Sequence, residues 1–125
     1  GAVTGRNRRC GWLDMVALKY AIMVNGVTQL IMMKADVLDT FPTIRVCVAY
    51  EKDGVTLDYM PYDTEGWKAV YKDFPGWQTD LTGMTSPEQF PTELKDYIRY
   101  IEQETGIPVT IVSVGPDRAQ TINMV

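Results

Sequence analysis

Apolar and polar positions alternate with changing period along the chain, and each change marks an element. From Met15 to Val24 nearly every position is apolar, Lys19 excepted. With Asp14 as a candidate N-cap and Asn25-Gly26 as a stop, residues 14–24 predict a helix. A helix apolar almost all round is expected to be buried between other elements. Gln29 to Met33 is a short apolar run that suits a buried, parallel strand. Ile44 to Tyr50 alternates, with Ile44, Val46, Val48 and Tyr50 on one face and Arg45, Cys47 and Ala49 on the other. Asp53-Gly54 is a turn signal, and Val55 to Met60 predicts the return strand of an antiparallel hairpin. Ala69 to Phe74 is a candidate third strand. Residues 75–91 read as loop, broken by Pro87 and Pro91.

The second helix is the clearest element. Leu94, Tyr97, Ile98 and Ile101 share one face of a helix over Thr92 to Thr105, which Gly106 stops and Pro108 seals. Val109 to Val112 is a short β-branched strand, followed by the loop Ser113 to Arg118. The order helix, strand, hairpin, helix, strand predicts an α/β fold. It would be part of a mostly parallel sheet flanked by helices, with a small antiparallel hairpin extension.

Composition narrows the classes. The 125 residues are 46% hydrophobic and 22% charged, ordinary for one globular unit. Sixteen acids against twelve bases give a net charge of −4, which argues against nucleic acid or an anionic membrane surface as partner. There is no histidine, so the usual metal ligand and the usual general base are both missing. Cys10 and Cys47 are far apart and form no CxxC motif, which favours a reduced, cytoplasmic protein. The run from Leu13 to Val24 is interrupted by Asp14 and Lys19 and is too short to span a bilayer. The chain opens directly on Gly1-Ala2-Val3-Thr4-Gly5-Arg6, and on that ground it is expected to be a fragment.

Three loops carry candidate chemistry. Thr4-Gly5-Arg6-Asn7-Arg8-Arg9 sets three arginines beside glycines in an acidic chain. Guanidinium groups bind carboxylates and phosphates bidentately, and glycines let backbone N–H groups approach an anion. A solvated basic segment is the competing reading. Lys34-Ala35-Asp36 follows the apolar run at a strand's C-terminal end, where open α/β sheets bind ligands. A carboxylate there can accept from guanine N1–H and its exocyclic amino group. Adenine offers neither donor. Each such charge-assisted bond contributes roughly 1.5–3 kcal/mol, so the discrimination is large. The aliphatic stem of Lys34 can lie flat against a base. A polar strand end with a capping Asp is the plainer alternative. Ser113-Val114-Gly115 can offer backbone N–H groups to a base carbonyl, or can simply turn the chain.

Together these segments resemble the adenylosuccinate synthetase family. Val3-Thr4-Gly5-Arg6-Asn7-Arg8-Arg9-Cys10-Gly11-Trp12-Leu13-Asp14 is similar to that family's T-T-G-R-x-R-R-x-G-W-L-D segment. The likeness continues through Ala17-Leu18-Lys19-Tyr20, Val24-Asn25-Gly26, Lys34-Ala35-Asp36-Val37-Leu38-Asp39 and Val46-Cys47-Val48-Ala49-Tyr50. It includes Pro75-Gly76-Trp77 and ends on Ser113-Val114-Gly115-Pro116-Asp117-Arg118. It covers essentially the whole chain, and corresponds to about the last third of the family's polypeptide. Residues 1–125 are thus expected to be a single C-terminal unit of a P-loop GTPase-like parent fold without its phosphate loop.

The resemblance implies an activity and a division of labour. The family uses GTP and Mg²⁺ to join IMP and L-aspartate, giving adenylosuccinate, GDP and phosphate, and is typically a homodimer. Ala2, Val3, Thr4, Gly5, Arg6, Asn7 and Arg8 would form the loop over aspartate and IMP. Thr4 and Arg6 would hold the aspartate carboxylates, Arg6 would reach the IMP ribose, and Arg8 would contact the guanine nucleotide. Lys34, Ala35 and Asp36 would read guanine, with Ser113, Val114 and Gly115 closing its other side. Val3 stands where the family often has a second Thr, and Asn7 where it frequently has Pro or Arg. The family's glycine loop, catalytic Asp and His, and most IMP contacts correspond to nothing here. No catalytic residue and no metal ligand is assigned to this chain, and alone it is expected to be inert with poor GTP affinity. The alternative from another class is a non-catalytic guanine-nucleotide-binding or assembly module.

Overall fold

A computed structural model describes residues 12–63, 65–115 and 118–124. The expectations for Ala2, Val3, Thr4, Gly5, Arg6, Asn7 and Arg8 lie outside the described residues. Among the described residues twelve elements follow in chain order. A two-residue strand β1 (Leu13–Asp14) leads into helix α1 (Met15–Asn25). Strand β2 (Leu30–Met32) and a 3-10 turn (Ala35–Leu38) precede the long strand β3 (Thr43–Lys52), then β4 (Val55–Leu57) and β5 (Lys68–Pro75). A 3-10 turn (Pro87–Gln89), helix α2 (Thr92–Thr105), strand β6 (Val109–Ser113), a 3-10 turn (Arg118–Gln120) and strand β7 (Thr121–Asn123) complete the order.

Local chemistry explains the element ends. The Asp14 carboxylate accepts from the Ala17 N–H at 3.0 Å and caps α1. Gly26, at φ 63°, ends it in the left-handed region. Asp53 and Gly54 both have positive φ, 51° and 80°, the backbone of a tight two-residue hairpin turn. That turn pairs Lys52 with Val55.

The α/β class holds, but the strands divide between two sheets. One contains β1, β3, β4 and β5, the other β2, β6 and β7. β1 with β3 and β2 with β6 are parallel. β3 with β4, β3 with β5, and β6 with β7 are antiparallel. Antiparallel pairing among the described residues is therefore larger than the hairpin expected, because β5 and β7 also return directly beside their neighbours. Helix α2 packs on β5, β6 and α1 and so bridges the two sheets. Its face Leu94, Tyr97, Ile98 and Ile101 meets Ile44 and Val46 of β3 and Val109, Val112 and Ile122 of the second sheet in one core.

Three expectations change in detail. α1 is buried only at Met15 and Val16, and Met23 is 75% exposed, because no described element covers its later turns. β2 is parallel as expected but among the described residues is an edge strand, with Ile31 half exposed. The alternation of β3 breaks after Val46: Cys47 and Ala49 are buried, while Val48 and Tyr50 are only half buried. Cys47 still keeps the regular register, and beyond it a bulge exchanges the faces of Ala49 and Tyr50, since Cys47 pairs with Tyr71 but Ala49 pairs with Val70, leaving Val48 as the extra residue.

Candidate functional site

The pairing of β2 with β6 builds the site. Their parallel register sets Met32 beside Val112, so both chains leave the sheet at the same end. Lys34-Ala35-Asp36 follows one strand and Ser113-Val114-Gly115 ends the other. The 3-10 turn Ala35–Leu38 packs against β6.

Lys34 stands at φ 55°, in the left-handed region that disfavours a side chain by roughly 1–2 kcal/mol. That kink turns the chain sharply out of β2. Ala35 is buried beneath it. The Oδ1 of Asp36 is buried and has no hydrogen-bond partner among the described residues. A buried carboxylate oxygen without a donor is costly, and it is satisfied when a ligand supplies N–H groups.

Asp36 opens on a cleft of about 540 Å³ lined by residues with polar side chains. Asp39 and Thr40 share its wall, and Gln78 to Asp80 with Thr82 form the other. That volume is in the range of small-molecule sites. The other two carboxylates already have donors. Asp39 accepts from Trp77 Nε1 at 2.8 Å and from the Leu81 N–H at 2.9 Å. Asp80 accepts from the Thr82 N–H and hydroxyl at 2.9 and 2.6 Å, and these bonds hold its carboxyl below the usual range. Gln78, at φ 44°, is a second strained backbone position on the rim.

The turn after β6 is tightly tied. The buried Ser113 donates its hydroxyl to the Gly115 carbonyl at 3.1 Å. The Val114 N–H donates to the Gln120 carbonyl at 2.8 Å, so that amide is committed within the protein. A Cβ at Gly115 would lie 2.3 Å from the end of the Gln120 side chain, so a larger residue there would have to displace that amide. Gln120 Nε2 in turn donates to the Thr82 carbonyl at 3.4 Å, joining this turn to the far wall of the cleft.

Lys34 is placed apart from Asp36. It lines a different, apolar cleft of about 290 Å³ with Leu18, Leu30, Met32, Tyr97 and Val109. Lys34 and Asp36 thus share a turn but face two clefts. Sequence reasoning assigned no role to Asp39, Gln78 to Thr82, or Gln120. Asp39 had no local signal, since its partners lie 38 and 42 residues away. Among the described residues no group of three or more His, Cys, Asp or Glu could hold a metal ion. No described helix is long and apolar enough to cross a membrane.

Comparison with known proteins agrees with this architecture. The family model described as adenylosuccinate synthetase matches residues 1–122. An adenylosuccinate synthetase of Bacteroides thetaiotaomicron is 62% identical over 123 residues, covering 98% of this chain and 29% of the relative. One of Phocaeicola vulgatus is 63% identical over the same length and coverage. The structure of fully ligated adenylosuccinate synthetase from Plasmodium falciparum superposes with a TM-score of 0.93 at 32% identity, over 100% of this chain and 31% of that one. The chain therefore spans under a third of the length of the relatives it matches. With its family model matched over nearly every residue, the chain belongs to the adenylosuccinate synthetase family.

Proposed function

We propose that this chain supplies the guanine-reading and aspartate-binding part of a GTP-dependent ligase that joins IMP and L-aspartate into adenylosuccinate, releasing GDP and phosphate. The observation that carries the guanine assignment is the Oδ1 of Asp36, buried and without a donor among the described residues. Guanine presents N1–H and the 2-amino group on one edge, two donors that a carboxylate accepts together. Val114 has already committed its N–H, which leaves Gly115 as the backbone donor toward the base 6-oxo group. Lys34 acts through the kink it imposes and Ala35 through the small buried volume beneath it.

The segment Ala2 to Arg8 is assigned to aspartate and IMP by family membership. Thr4 and Arg6 bind the aspartate carboxylates, and Arg8 contacts the guanine nucleotide. The reaction has two stages, phosphorylation of the IMP 6-oxygen by GTP and displacement of that phosphate by the aspartate amine. Magnesium supplies charge neutralisation on the phosphates when bound. The described residues contain no suitable donor cluster, so no magnesium ligand is assigned here. A cytoplasmic homodimer is the assembly the family implies.

The test uses a synthetase in which this chain replaces the matching segment of the Bacteroides thetaiotaomicron relative. Asp36→Asn keeps one acceptor and adds a donor. GTP use (kcat/KM) should fall roughly 100-fold or more, through loss of charge-assisted bonds. XTP use should rise, because the amide donates to the xanthine 2-oxo group. Unchanged GTP kinetics would remove Asp36 from the site.

A further inference from the structure

The Pro75-Gly76-Trp77 motif and Asp39 have no role in the reading above, yet they meet beside its key residue. We propose that Asp39 and this segment form a clasp that positions the guanine-reading carboxylate of Asp36. The inference rests on the guanine assignment and adds positioning residues to it.

The clasp has two points of closure. At the first, Asp39 ends the 3-10 turn that carries Asp36, its own N–H donating to the Asp36 carbonyl at 3.1 Å. Its carboxylate reaches across to Trp77 Nε1 and the Leu81 N–H, one oxygen to each. At the second, the Gly76 N–H donates to the Pro42 carbonyl at 2.9 Å. The chains approach so closely there that a Cβ on Gly76 would sit 1.7 Å from the Phe41 carbonyl oxygen. Segments 39–42 and 76–81 are thus locked against each other.

The lock is anchored in the core. Trp77 and Leu81 are buried, and the Trp77 ring lies tilted against Tyr97 of α2 at 6.0 Å. Beyond Trp77 the chain runs straight into Gln78 to Thr82, the wall that faces Asp36. Through Thr82 that wall also holds Gln120, and through Gln120 the turn at Gly115. One loop therefore sets the spacing between the two turns assigned to the base. The electrostatics fit as well. A carboxylate beside Asp36 would repel it, but two N–H donors offset the charge of Asp39. A side chain retained only for packing would need neither charge nor a pair of long-range donors.

The variants are chosen to break single bonds. Asp39→Asn must turn an NH₂ group toward one of two N–H donors, so one bond is lost. Trp77→Phe removes the indole donor and leaves the Leu81 bond. In the synthetase described above, KM is measured for GTP, ITP, IMP and aspartate, with kcat. ITP lacks the 2-amino group, so the GTP-to-ITP preference reports how well Asp36 is aimed. Both variants should raise the KM for GTP roughly tenfold and shrink that preference. The KM for IMP and for aspartate should not change. An unchanged preference, or an equal rise for all substrates, overturns the proposal. Asp36→Asn is run beside them. If it fails to alter GTP against XTP selectivity, the guanine assignment itself falls. If it succeeds while both clasp variants keep the preference, the clasp alone falls. Should either variant fail to fold, amide hydrogen exchange on the unsubstituted synthetase decides. Protection at Leu81 should rise when GDP is added, and no rise overturns the clasp.

Discussion

Burial holds the Tyr97 phenol neutral far into the alkaline range. Its pKa is pushed up to about 12 from an ordinary value of 10.0 because the ring is desolvated in the core. The folded value lies above the unfolded one, so the neutral phenol's contribution is fully present below pH 10. It is lost as pH rises through about 12. Urea midpoints followed from pH 9 to 12 should therefore fall steeply (on the order of 2–3 kcal/mol at the limit). Tyr97→Phe should flatten that limb while staying close to the unsubstituted chain at pH 7. A parallel fall in both proteins would show that Tyr97 does not govern it. Tyr50 shifts the same way, by burial first and then by its hydrogen bond to the Asp14 carboxylate. That phenol thereby adds a long-range tie to the residue capping α1.

At the scale of elements, two glycines separate close approach from mere loop flexibility. Neither Gly76 nor Gly83 has a positive φ. A methyl on Gly76 collides with backbone at Phe41, whereas one on Gly83 meets nothing within 4 Å. Gly76→Ala should destabilise by about 2 kcal/mol or more, since the chain must move to admit it. Gly83→Ala should stay within about 0.5 kcal/mol or stabilise slightly by restricting the unfolded chain. Equal effects in urea denaturation would remove the steric basis of the clasp. The same contrast explains why Pro75-Gly76-Trp77 stands out in the sequence. Its proline ends β5, its glycine admits the neighbouring chain, and its tryptophan carries the bond to Asp39.

At the scale of the whole molecule, the described residues form two sheets around one core. Ile44 and Val46 from one sheet and Val109, Val112 and Ile122 from the other join the same buried cluster around α2. Sheets that share a core lose it together, so unfolding should be a single transition. Far-UV circular dichroism and tryptophan fluorescence should give the same denaturation midpoint. Separate midpoints would mean that each sheet stands by its own contacts. The site depends on this unity. Asp36 belongs to the turn after β2, while the wall opposite it follows β5 of the other sheet.

Local chemistry along the chain determined what lies within a few residues. The bounds of α2, the Asp14 cap, the stops at Gly26 and Gly106 and the Asp53-Gly54 hairpin were all legible, because each depends on backbone preference and near neighbours. The turns at Lys34 to Asp36 and Ser113 to Gly115 were legible as strand ends carrying particular side chains. Tertiary structure alone decided the rest. It divided the strands into two sheets, placed the bulge at Val48, and left the later turns of α1 exposed. It also turned Lys34 and Asp36 into different clefts and gave Asp39 partners far along the chain. Hydrophobic period says which face is buried but not against what, and a carboxylate's distant donors leave no local trace. Which strands pair, and which loops they bring together, are settled only when distant segments compete for the same core.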